Sequence, residues 1–151
     1  MRKGFSMLTA IIFLILIATI SALSIALSSQ ATKQTSDLFL RSQAELLAKS
    51  ATEYTLLAIS GHELNTTSGC LNNINSQYPE AGANATFDIN ITINYLGNGL
   101  AAASGNNCNI LSDTIMTSDS NRTVIIDTIV SSVAGISTEP IRIHRRTIQK
   151  P

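Results

Sequence analysis

Charge is missing from the start of this chain: between Phe5 and Thr32 there is no Asp, Glu, Lys or Arg. Proline and glycine are missing over a longer stretch, Phe5 to Ser60, so no residue there breaks a helix. Histidine and cysteine are scarce, His62 and His144, Cys70 and Cys108, and their spacing to each other and to carboxylates suggests no zinc pattern. No nucleophile, base and orienting group can be assembled from the motifs present, so the chain reads as a non-enzyme with no implied cofactor or metal. An excess of either charge is also absent. Ten basic and ten acidic residues cancel, so nothing in the net charge marks the whole chain as a nucleic-acid binder. No internal repeat occurs.

What is present begins with the charge-free run itself. A membrane span needs about 20 mostly apolar residues, and this run satisfies that, with Arg2 and Lys3 placing its start in the cytoplasm. A secretory signal peptide cut near Ala22-Leu23-Ser24 or Ala26-Leu27-Ser28 is the competing reading. Against it, the pattern continues as helix beyond both sites. With 151 residues the chain has room for one small domain beside the membrane segment.

Past the apolar run, Lys33, Asp37, Arg41, Glu45, Lys49 and Glu53 fall every four residues with alternating sign. That spacing sets each beside the next on a helix in water. Leu40, Ala44, Leu47, Ala51, Tyr54 and Ala58 recur at three or four residues as an apolar stripe that needs a partner surface. Gly61 is the expected stop. One helix from Phe5 to Ser60 would be about 84 Å long at 1.5 Å per residue.

Thr86 to Tyr95 alternates without error, Phe87, Ile89, Ile91, Ile93 and Tyr95 against Thr86, Asp88, Asn90, Thr92 and Asn94, as in a half-buried strand. Thr123 to Ser131 reads as a more buried strand, Ile141 to Ile148 as a third, and Ile110 to Met116 as a weaker fourth. Gly97 to Asn107, rich in Gly and Asn, reads as a loop. Strands that follow a helix without helical crossovers predict an α+β fold: a long helix packed on a small antiparallel sheet. In an exported domain Cys70 and Cys108 are expected to close a disulfide, whereas in a cytosolic one they would be free thiols; the membrane segment favours the first.

The stretch Met1-Arg2-Lys3-Gly4-Phe5, a basic four-residue leader ending in Gly and followed by Phe and a membrane-length helix, resembles the N-terminus of type IV prepilins and of the pseudopilins of type II secretion. The resemblance is specific over about the first 30 residues and architectural beyond them. It implies a pilin-like fold, cleavage by a prepilin peptidase after Gly4 and methylation of the new terminal amine on Phe5. It further implies partners: the inner membrane before assembly, and other pilin or pseudopilin subunits through the helix afterwards. The family's Glu five residues after the cut is Thr9 here. An unpaired charge in apolar surroundings costs several kcal/mol, so the missing carboxylate points to a minor subunit of a pilus or pseudopilus, not to the repeating major one. The alternative is a periplasmic interaction domain on an uncleaved signal anchor that enters no filament. Ala18, Ala22 and Ala26 offer small surfaces for close helix contact in either case. The boundaries that follow are 1–4 for the leader, 5–32 for the membrane or filament-core helix, 33–60 for its amphipathic continuation and 61–151 for the extracytoplasmic head.

Asn65, Asn84, Asn90 and Asn121 fit the Asn-x-Ser/Thr acceptor pattern, and Asn65, Asn90 and Asn121 carry an acid two residues earlier, as bacterial N-glycosylation sites do. Asp113 and Asp119 lie among Asn106, Asn107, Asn109 and Asn121, but without the fixed spacing of a calcium loop; turn chemistry explains them better. Arg142, His144, Arg145, Arg146 and Lys150 form a basic tail. DNA contact is the sharper reading of that tail, and an edge strand whose charges oppose edge-to-edge pairing is the more economical one.

Overall fold

The structure, a computed structural model, describes residues 3–63, 65–67, 69–105, 107–116 and 122–151, with helix side chains described from Met7 onward. The chain forms two compact units, Met1–Phe39 and Leu40–Pro151. Helix α1, Lys3–Gly61, supplies the described part of the first unit and the opening of the second. The expected stop at Gly61 is where it ends.

In the first unit the helix carries no charged side chain from Phe5 to Thr32 and exposes large apolar side chains along that stretch. Its most apolar 18-residue window has a mean hydropathy of 2.8 and buries none of its residues, so the helix is long and apolar enough to cross a membrane. Several of its hydroxyls are satisfied locally. Thr19 donates to the Leu16 carbonyl at 2.9 Å, Ser21 to Ile17 at 2.8 Å and Ser24 to Ile20 at 3.0 Å. Such back-bonding removes the cost of carrying a hydroxyl through hydrocarbon.

In the second unit the helix packs on a sheet built from β1 (Asn73–Tyr78), β2 (Phe87–Gly97), β3 (Ile110–Ser112), β4 (Arg122–Ser132) and β5 (Arg142–Gln149). The order is β1-β2-β4-β5, each neighbouring pair antiparallel. Phe87, Ile89, Ile91, Ile93 and Tyr95 of β2 join Val124, Ile126 and Val130 of β4 under the helix, as the alternation predicts. Ala44 and Ala48 are completely buried against them, since a methyl side chain lets the helix backbone approach the sheet closely.

The expected apolar stripe needs correction. Ala44, Leu47 and Ala51 do contribute, but Tyr54 is 61% exposed, and the buried line runs through Ala48, Thr52, Thr55 and Ile59. Leu40, Leu47 and Tyr54 are seven apart, and such a repeat drifts about 20° per heptad around a straight helix, carrying Tyr54 off the contact. Threonine replaces it at little cost because its hydroxyl stays paired. Thr52 donates to the Ala48 carbonyl at 2.8 Å and lies 3.3 Å from the Thr128 hydroxyl, and Thr55 donates to Ala51 at 2.7 Å.

Three further features depart from the sequence reading. The sheet is not wholly antiparallel: β3 runs parallel to β2, pairing Tyr95 with Ile110. It occupies the end of the β2 edge left open by β1, which covers only Phe87 to Thr92. The expected loop at 97–107 contains a short helix, α2 (Leu100–Ser104), because the Asp113 carboxylate accepts from the Leu100 and Ala101 amides at 2.6 and 3.3 Å. Strand β1 has no counterpart in the sequence pattern because only Ile74 of its six residues is even half-buried, which leaves no alternation.

Candidate functional site

Two surfaces carry the residues singled out from sequence. The first is the N-terminal part of α1. The backbone of Gly4 and Phe5 is helical, and Thr9 follows on the same helix, inside the stretch without a carboxylate or a cation. Met7, Phe13, Leu14 and Ile25 each expose about two thirds or more of their surface, so this element offers large apolar side chains in every direction.

The second surface is the face of the sheet turned away from the helix. Strand register places Asn73, Asn75 and Gln77 of β1 beside Thr92, Asn90 and Asp88 of β2. Across from these lie Ile125, Asp127 and Ile129 of β4, paired with Ile148, Arg146 and His144 of β5. Asp127 is the centre of the face. Its carboxylate accepts two bonds from Arg146, Nε at 2.7 Å and Nη2 at 3.0 Å, and lies 2.9 Å from His144 Nε2. The guanidinium bond is the main cause holding the Asp127 carboxyl below the usual carboxylate range, with burial opposing it and His144 assisting. Arg146 is raised in turn by the same carboxylate. The basic tail is therefore an edge strand, as the economical reading has it, with Arg146 and His144 engaged on Asp127 and Arg142 and Arg145 exposed beside them. Sequence reasoning missed Asp127. A lone acid inside the β-branched run Thr123 to Ser131 was the available signal, since a carboxylate amid apolar neighbours calls for a cation.

Cys70 and Cys108 form the expected disulfide, closing a loop across 38 residues. In the chain-entropy account such a loop contributes about 4 kcal/mol. Side-chain amides reinforce it. Asn72 donates to the Asn107 carbonyl at 3.1 Å and its own oxygen accepts from the Asn109 amide at 2.9 Å, while Tyr95 Oη donates to the Leu71 carbonyl at 2.8 Å. Burial pushes the Tyr95 hydroxyl above its ordinary range. Gly69 permits the close approach. At φ +63°, a Cβ there would meet the Asn107 Cβ at 2.7 Å. His62, with Nε2 3.2 Å from the Gly69 carbonyl, secures the helix end.

The acceptor asparagines separate clearly. Asn65 sits in a tight turn, its side-chain oxygen accepting from the Thr67 amide at 2.9 Å. Asn90 is exposed but lies mid-strand, with Asn75 and Ile129 opposite it on either side. Asn121, like Asn106 and Asp119, lies outside the described residues. Asp113 is committed to the start of α2, where its carboxylate works as a cap.

Set against known proteins, the chain matches no family model, no curated sequence and no solved structure.

Proposed function

We propose that this chain is a minor pilin or pseudopilin: a structural subunit processed after Gly4, methylated on Phe5, held in the inner membrane by the charge-free helix and then drawn into a pilus or pseudopilus. The observation that carries the reading is the junction of a short basic leader with an uninterrupted 59-residue helix, apolar all round at one end and packed on a sheet at the other. A globular protein has no use for the exposed half of such a helix, whereas lipid or neighbouring helices cover it in full. The disulfide fits an oxidising, extracytoplasmic setting for the sheet.

Thr9 shapes the reading. Without a carboxylate at that position a charged N-terminal amine on a neighbour has no partner, which suits a subunit present in one or a few copies. The same observation favours the second reading, an interaction domain on an uncleaved anchor. N-terminal mass spectrometry of the full chain from its native membrane separates the two. A methylated Phe5 terminus is expected. A terminus at Met1 sustains the anchor, and one between Ser24 and Gln30 overturns both in favour of secretion.

A further inference from the structure

The two edges of the sheet differ in charge and in cover. β1 has no strand on its far side among the described residues, no charged side chain, and five of six residues exposed. Its backbone N–H and C=O groups on that edge form an open ladder with none of the charges or prolines that usually protect one. Beneath it lies a groove of about 410 Å³, lined by Leu47, Ala51 and Tyr54 of the helix and by Ile74, Ile89 and Ile91. At the opposite edge β5 carries Arg142, His144, Arg145 and Arg146 and no acid, whereas the segment from Asn73 to Asp88 carries Glu80 and Asp88 and no base.

We propose that the β1 edge and its groove receive the β5 edge of a second copy of this chain, joining two heads side to side in one continuous sheet. Strand direction allows it. β1 and β4 run one way and β2 and β5 the other, so a copy displaced sideways without inversion brings its β5 antiparallel to β1, with both helices on the same face. Faces stay matched only in registers that pair odd with even positions. The fullest overlap of this kind sets Ser76 opposite Arg145, Tyr78 opposite Ile143 and Gln77 opposite His144. Arg145 then lies over the mouth of the groove near Tyr54, and Arg142 comes close to Glu80.

The alternatives are disfavoured on the same ground. Two β5 edges would oppose like charges across the ladder. Two β1 edges would bring together segments that each carry Glu80 and Asp88 and no base, leaving the arginines of β5 unmatched. A heterologous contact of this type does not close on itself, so in a subunit present in a few copies it stops at an unlike neighbour.

The test is cysteine cross-linking of the full chain in its native membrane. Differently tagged copies carrying Ser76→Cys and Arg145→Cys are co-expressed and oxidised, and Ser76→Cys with Thr147→Cys covers a two-residue slip. The mixed product is expected from one of these pairs, exceeding either symmetric product at least tenfold. In the cross-linking background, Arg142→Glu in one copy should lower the yield and Glu80→Arg in the other should restore it. Dominant symmetric products, no product from either pair, or a yield blind to the charge swap overturns the proposal. The N-terminus of the same sample is read in parallel. A Met1 terminus with the mixed product sinks the pilin reading alone, and a Phe5 terminus without it sinks the docking alone.

Discussion

Asp127 shows how one residue can organise a face. A single acid set among isoleucines draws an arginine and a histidine from the next strand, and the carboxylate is held ionised by the pair. Because its folded pKa is lowered, the folded state binds fewer protons than the unfolded one through the acid range. The contribution is complete above about pH 4, the ordinary carboxylate value, and is lost as pH falls through the lowered folded value. Asp127→Asn should therefore lower the thermal midpoint of the full chain at pH 7. The gap to the parent should narrow as pH is taken below 4, as followed by circular dichroism in detergent. A gap that persists unchanged at pH 2 would mean that the carboxylate's charge does not matter. Arg146→Lys should weaken the effect, because an ammonium cannot reproduce the two parallel bonds.

At the scale of elements, the contact between α1 and the sheet depends on small side chains. Ala48→Leu should cost about 1–3 kcal/mol by overpacking, whereas Leu46→Ala, on the exposed side, should change stability by less than about 0.5 kcal/mol. Chemical denaturation of both variants measures the contrast, and equal effects would contradict the packing described. Ala44 and Ala48 also explain what sequence could convey. β2 was legible to within two residues because its partners bury one face along its whole length, so its alternation is unbroken. β1 was not, since an edge strand with one half-buried residue leaves no hydrophobic period. The helix face was legible in its first turns and lost at Tyr54, because threonine is counted as polar although back-bonding makes it a fit core residue. The disulfide followed from compartment and count. The Asp127 centre did not, because the sequence shows neither strand order nor register, and Asp127 and Arg146 meet only through both.

For the whole molecule, the membrane is the main question. Between Phe5 and Thr32 there are thirteen Leu, Ile and Phe residues. Together they favour insertion by about 4–8 kcal/mol, against about 5–7 kcal/mol for two central arginines. Leu16→Arg combined with Ile20→Arg should therefore move a large fraction of the chain from the membrane pellet to the alkaline supernatant. Full retention of that variant would show that something other than the helix holds the protein there. One consequence of the helix's own hydrogen bonding reaches further. Thr19, Ser21 and Ser24 have turned their hydroxyls onto their own backbone, and Thr32 and Thr35 do the same, bonding Ser28 and Ala31. A neighbour meeting these five positions finds methyl and methylene groups with no directional preference among them. At those positions the seam is lubricated: it favours contact while leaving sliding and rotation nearly free, and a fixed address falls to the sheet.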